Sequence, residues 1–113
     1  MRLKNVRMSW GDTFAEVIVE FANYGNGDIA ILLYSDEGEL LSTPTVNLEA
    51  YGLRPERGSV YVKNYSEGEG MLEVLTKGGI VEPGARMETF GPFDTTASEA
   101  RLSEAARAEI GGF

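Results

Sequence analysis

Between Thr13 and Phe21 apolar and polar side chains alternate with a period of two, placing Ala15, Val17, Val19 and Phe21 on one face and Phe14, Glu16, Ile18 and Glu20 on the other. That period belongs to a half-buried β-strand, since residues sharing a helix face recur every three or four positions. Asn23-Tyr24-Gly25-Asn26-Gly27-Asp28 follows, rich in residues that tolerate positive φ, and then Ile29 to Tyr34, apolar on both faces. Together these segments predict a β-hairpin whose second strand is central and covered on both sides. Asp36-Glu37-Gly38-Glu39 is the next turn, with Gly38 suited to a left-handed position. Leu40 to Leu48 reads as a strand interrupted near Pro44, which lacks the N–H that a central ladder needs. Leu3 to Met8 reads as a short opening strand, closed by Trp10-Gly11-Asp12.

The period changes further along. Ser59 to Tyr65 has the β-branched and aromatic content of a strand, and Ser66-Glu67-Gly68-Glu69 matches the capping box that opens a helix. Met71, Leu72 and Leu75 supply an apolar face, Lys77 suits the negative end of the helix dipole, and Gly78-Gly79 stops it. The spacing predicts an amphipathic helix over about 67–77. Arg86 to Phe90 fits a strand, Gly91-Pro92 a break. Thr95 to Leu102 fits strand or helix; strand is favoured to about Leu102, with Ser103 as N-cap of a short C-terminal helix to Ile110, ended by Gly111-Gly112. The expected architecture is a single α+β domain over 1–113, with one antiparallel sheet of five or six strands and two helices.

Charge is distributed unevenly. From Met8 to Leu53 there are eight carboxylates (Asp12, Glu16, Glu20, Asp28, Asp36, Glu37, Glu39 and Glu49) and no Lys or Arg, so the net charge of −8 resides wholly in this stretch. A surface of one sign repels nucleic acid and membrane headgroups and attracts basic partners. The chain also has no Cys and no His. That removes disulfides, thiolate metal sites, Ser-His-Asp and Cys-His catalysis and the imidazole general base. Carboxylates, Lys, Tyr or an Mg²⁺-type ion on oxygen ligands are the remaining chemistry. Met1 to Met8 has no apolar core of signal-peptide length, so a cytoplasmic location is expected, with no membrane partner.

Thr45-Val46-Asn47-Leu48, Val62-Lys63-Asn64-Tyr65-Ser66-Glu67-Gly68-Glu69-Gly70-Met71-Leu72 and Gly79-Ile80-Val81-Glu82-Pro83 resemble a family of small uncharacterised proteins carried by bacterial phages and other mobile elements. The likeness covers roughly residues 40–102. The family more often has Asn where Gly68 stands, and often Cys at the position of Ala100, so any thiol role is absent here. The resemblance implies a small accessory protein of an invading element acting in a bacterial cytoplasm, and carries over no catalytic residue.

Glu16, Glu20, Asp36, Glu37 and Glu39 are the candidate partner-binding residues. Glu16 and Glu20 lie roughly 13 Å apart on one strand face, too far for a cooperating acid/base pair. Asp36, Glu37 and Glu39 fail the EF-hand spacing, because Gly38 follows Asp36 by two positions instead of five. Gly25-Asn26-Gly27 precedes a strand and carries no Lys, so it reads as a turn and not as a phosphate loop. Trp10 and Tyr65 read as partly buried core in preference to partner anchors. No catalytic residue, metal or cofactor is expected. The sequence reads as a non-enzymatic acidic binding protein whose partner is a host protein with a basic surface, with no direct nucleic-acid contact and a homodimer compatible with it. The alternative is a carboxylate-dependent enzyme or small-ligand domain.

Overall fold

The alternating segment becomes the second strand of a meander. The computed structural model describes residues 1–111, and for Glu67 the backbone alone; Gly112 of the expected helix stop lies outside the described residues. Among the described residues the chain is α+β, with two antiparallel sheets and two α-helices. The first sheet has the order β1 (Arg2–Arg7), β2 (Thr13–Asn23), β3 (Ile29–Ser35), β4 (Leu40–Ser42). The second sheet has the order β5 (Ser59–Lys63), β7 (Thr95–Arg101), β6 (Arg86–Phe90). Helix α1 spans Met71–Lys77 and α2 spans Glu104–Ile110.

The single sheet of five or six strands is thus corrected to sheets of four and three strands, and the division falls at Pro44. β4 ends at Ser42, and Thr45 instead bridges Val62 of β5. Pro44 has no N–H to continue the ladder, but its carbonyl accepts the Lys63 N–H at 2.8 Å. Thr45 ties the two sheets together: its Oγ1 accepts the Ile31 N–H at 3.1 Å and lies 3.0 Å from the Tyr24 hydroxyl. The expected Leu40-to-Leu48 strand is therefore a crossing from one sheet to the other, followed by a 3-10 turn over Glu49–Tyr51.

The inner face of the first sheet contributes Leu3, Val17, Val19, Ile31 and Leu33 to the main core. Against it pack Val60 and Val62 of β5, Met71 and Leu75 of α1, Leu102, and Ala106 of α2. One detail of the expected alternation reverses. Asn5 has φ +54°, and beyond it the pleat of the β1–β2 pair turns over, so Leu3 and Val6 are both buried although three positions apart. Phe14, opposite Val6, packs on the core and Ala15 is exposed. The outer face of β3 is also less covered than expected. Leu32 and Tyr34 are half-buried there, while Ile31 and Leu33 are fully buried on the inner face. On the far side of the second sheet Leu48, Tyr61 and Ala97 form a smaller cluster with Phe90.

The helix expected over 67–77 begins at Met71 instead. Ser66 sits at φ +57°, outside the extended conformation an N-cap needs, and Ser66–Gly68 forms a 3-10 turn with no side-chain cap. Gly70, at φ +82°, is the residue that enters α1. The second helix matches its reading: Ser103 accepts the Ala106 N–H at 3.1 Å, and Gly111 closes the helix at φ +73°. The Ser103 hydroxyl also donates to the Gly79 carbonyl at 2.7 Å, tying the start of α2 to the end of α1.

Candidate partner-binding surface

In an up-and-down meander alternate turns share one end of the sheet, so the β1–β2 and β3–β4 turns are at the same end, with Asp12 about 13 Å beyond the level of the acidic turn along β2, and the β2–β3 turn lies opposite. The β1–β2 turn is closed by the Met8 N–H on the Asp12 carbonyl at 2.8 Å, and the Trp10 indole N–H donates to the Asp12 carboxylate at 2.9 Å. Trp10, expected as partly buried core, is 47% exposed. Tyr65 is half-buried beside Phe90, with ring centroids 6.2 Å apart.

The β3–β4 turn carries Asp36, Glu37 and Glu39, all exposed. Its shape is set by Ser35, whose hydroxyl oxygen accepts the N–H groups of Glu37 at 3.3 Å and Glu39 at 3.1 Å. The Ser35 N–H bonds the Glu39 carbonyl at 2.8 Å, and Gly38 takes the left-handed conformation at φ +87°. Three carboxylates thus project from a turn whose backbone is already fixed. Ser35 was not singled out from the sequence. Its only signal there is position, a Ser immediately before an acidic Gly-containing turn, where a hydroxyl caps backbone N–H groups.

The five candidate residues do not form one cluster. In the β2–β3 register Val17 faces Ser35 and Glu20 faces Leu32, so Glu16 lies level with the start of the acidic turn while Glu20 stands about 13 Å further along β2. Glu16 is also not a free acid. It accepts a hydrogen bond from Arg2, and Lys4 is its cross-strand partner on β1. Asp28 is held by Arg54 at 2.8 Å, with its other oxygen accepting from Asn26 at 3.0 Å. The acidic stretch therefore recruits its cations from just outside its own limits. Among the described residues Asp12, Glu20, Asp36, Glu37, Glu39 and Glu49 are in no ion pair. Arg7, on β1 opposite Thr13, makes none with them either.

Elsewhere the carboxylates are used structurally. Burial acts to raise the Glu99 carboxyl, but the Glu56 N–H at 2.8 Å and Arg86 at 2.8 Å outweigh it and hold Glu99 below the ordinary 4.5. Hydrogen bonding to Lys77 and the charge of that Lys hold Glu73 down as well. Both shifts run opposite to what a general acid requires. A carboxyl with a lowered folded-state pKa contributes stability that is present above its unfolded value and lost as pH falls through the folded one. Stability should therefore decline from about pH 4.5 downward, and Glu99→Gln should lower stability at neutral pH and flatten that decline. Urea unfolding at a pH series on both sides of 4.5 checks this; an unchanged slope in Glu99→Gln contradicts it.

A groove of about 560 Å³ runs along Asp28, Arg54, Glu56, Arg57 and Ile110. Asp28 and Arg54 are consumed there by their mutual pair, which ties the β2–β3 turn to the segment after the 3-10 turn at Glu49–Tyr51. Residues of the segments 45–48 and 62–72 have structural work in this fold. Thr45 bridges the sheets, Asn47 bonds Asn26 at 3.0 Å, Leu48 is core, and Asn64 bonds Ser98 at 3.0 Å. Among the described residues no helix is long and apolar enough to cross a membrane. No family model, curated protein or solved structure matches this chain.

Proposed function

We propose that this protein is a non-enzymatic binding protein that captures a partner with a basic surface through the turn end of its first sheet. The observation that carries the reading is that the carboxylates of Asp36, Glu37 and Glu39 project from one fixed turn, at the same end of the sheet as Asp12 and the exposed Trp10, with no cation paired to them among the described residues. Aromatic anchors dominate interface energetics, and a rigid acidic turn lowers the ordering cost of binding. Electrostatic steering of a basic partner speeds association and makes it salt-sensitive. The resemblance to phage and mobile-element proteins extends this to a host setting: inhibition of a defence or DNA-processing protein by occupying its basic, nucleic-acid-binding groove. Glu20 and the Arg2-paired Glu16 are placed at the margin of the surface and not at its centre.

Immobilised protein should capture such a partner from a bacterial host lysate, identified by mass spectrometry, and should ignore duplex DNA. Reversal of Asp36, Glu37 and Glu39 to Lys should abolish the capture with the fold intact. Reversal of Glu20 alone should slow association by no more than a few-fold, as expected of a rim charge. Capture that survives the triple reversal with unchanged salt dependence rules the surface out.

A further inference from the structure

The second sheet has one open edge. β5 is covered on its outer side over Tyr61 to Lys63 by the segment around Thr45, but β6 pairs only with β7, and among the described residues no backbone hydrogen bond reaches its other side. A free strand edge is a template for another chain; native proteins blunt it with charged side chains, proline, a bulge or a covering element, and charges repel a second copy only where they are of like sign. β6 instead reads Arg86-Met87-Glu88-Thr89-Phe90, with charges of opposite sign two positions apart and Met87 between them 67% exposed.

The register with β7 puts Arg86, Glu88 and Phe90 on the outer face of the sheet, beside Glu99, Ala97 and Thr95, and Met87 and Thr89 on the opposite face. We propose that a second copy of this chain adds to this edge, β6 against β6 in antiparallel register centred on Met87, to give one continuous six-stranded sheet. In that register Arg86 of each copy faces Glu88 of the other, the two Met87 side chains meet on the two-fold axis, and Thr89 and Phe90 face the small residues Ala85 and Gly84. Centring on Glu88 would set the two Glu88 carboxylates against each other and Arg86 against Phe90. Shifting by a single residue would put the charges of one copy on the face opposite to those of the other. Opposite charges directly across a strand pair stabilise it and like charges destabilise it, so the charge pattern selects one register. Arg86 already holds Glu99 at 2.8 Å, but a guanidinium has five N–H donors and can serve both carboxylates.

The chain has no Cys of its own, so single-cysteine variants report the register directly. With copper–phenanthroline as oxidant, Met87→Cys should give a disulfide-linked dimer on the order of tenfold faster than Thr89→Cys, because directly opposed strand positions fall within disulfide reach and positions four residues out of register do not. Glu88→Cys should be slower than Met87→Cys. In sedimentation of the otherwise native chain, Glu88→Arg should weaken dimerisation on the order of tenfold, and mixing it with Arg86→Glu should restore a heterodimer in which both cross-strand pairs are complementary. Equal cross-linking at all three positions, fastest linking at Glu88→Cys, or a wild-type chain that sediments as a monomer at about 1 mM overturns the proposal.

Discussion

Replacing Ile31 with alanine is expected to cost about 2 to 5 kcal/mol of folding stability, measured by urea unfolding. The side chain is fully buried on the inner face of β3, in a core drawn from both sheets and both helices, and its amide is fixed by Thr45 from the segment that crosses between the sheets. Removing three carbons there deletes burial and leaves a space that few neighbours can fill without disturbing a strand. Leu32, the next residue, is expected to behave differently. It lies half-buried on the outer face opposite Glu20, so Leu32→Ala should cost only about 1 kcal/mol. Pattern alone treats the two positions alike, because both belong to an apolar run. Equal losses at the two sites would mean that something covers the outer face in solution, and a near-neutral Ile31→Ala would contradict the core described here.

Gly68→Ala is expected to destabilise by about 1 to 3 kcal/mol, the range typical of forced overpacking. A Cβ built on Gly68 would stand 2.5 Å from the Lys63 Cβ and 3.3 Å from the Lys63 carbonyl oxygen. The Lys63 Cβ is the root of a strand residue and not the free end of a flexible side chain, so the clash cannot be relieved by a rotamer change. Helix propensity gives the opposite sign, a modest gain from replacing a helical glycine with alanine. The difference arises because Gly68 lies in the 3-10 turn before Gly70 and not inside α1. For the same reason Ser66→Ala should change stability little, whereas Ser103→Ala should cost about 1 kcal/mol, since only Ser103 accepts a bond from the helix it precedes. Stabilisation by Gly68→Ala would restore the longer helix.

Features governed by neighbours in sequence were readable. The period of two in β2, the Gly38 turn and the Ser103 cap depend on a few adjacent residues, whereas Thr95 to Arg101, open between strand and helix, is made a strand by pairing with both β5 and β6. The capping box at Ser66 failed although its spacing was correct. That motif presupposes an extended Ser, and packing of Gly68 on β5 left Ser66 in a left-handed conformation. The candidate surface was legible as a charge pattern and not as a geometry. Nothing in the order of residues says that Arg2 would reach Glu16 or that Arg54 would reach Asp28.

The sequence by itself determined the first three strands and the turns between Trp10 and Glu39, the position of the C-terminal helix and the confinement of the net charge to one stretch, because these follow from local periodicity, cap chemistry and composition. Tertiary structure alone decided where one sheet ends and the other begins, where α1 starts, which carboxylates keep a cation and which strand edge stays open. Each of those depends on groups far apart in the chain meeting in space: Thr45 with Val62, Gly68 with Lys63, Arg2 with Glu16, and β6 left with a single neighbour. Long-range contacts of this kind bring together residues whose separation along the chain carries no periodic signal, so packing chooses among arrangements that local preference leaves equal.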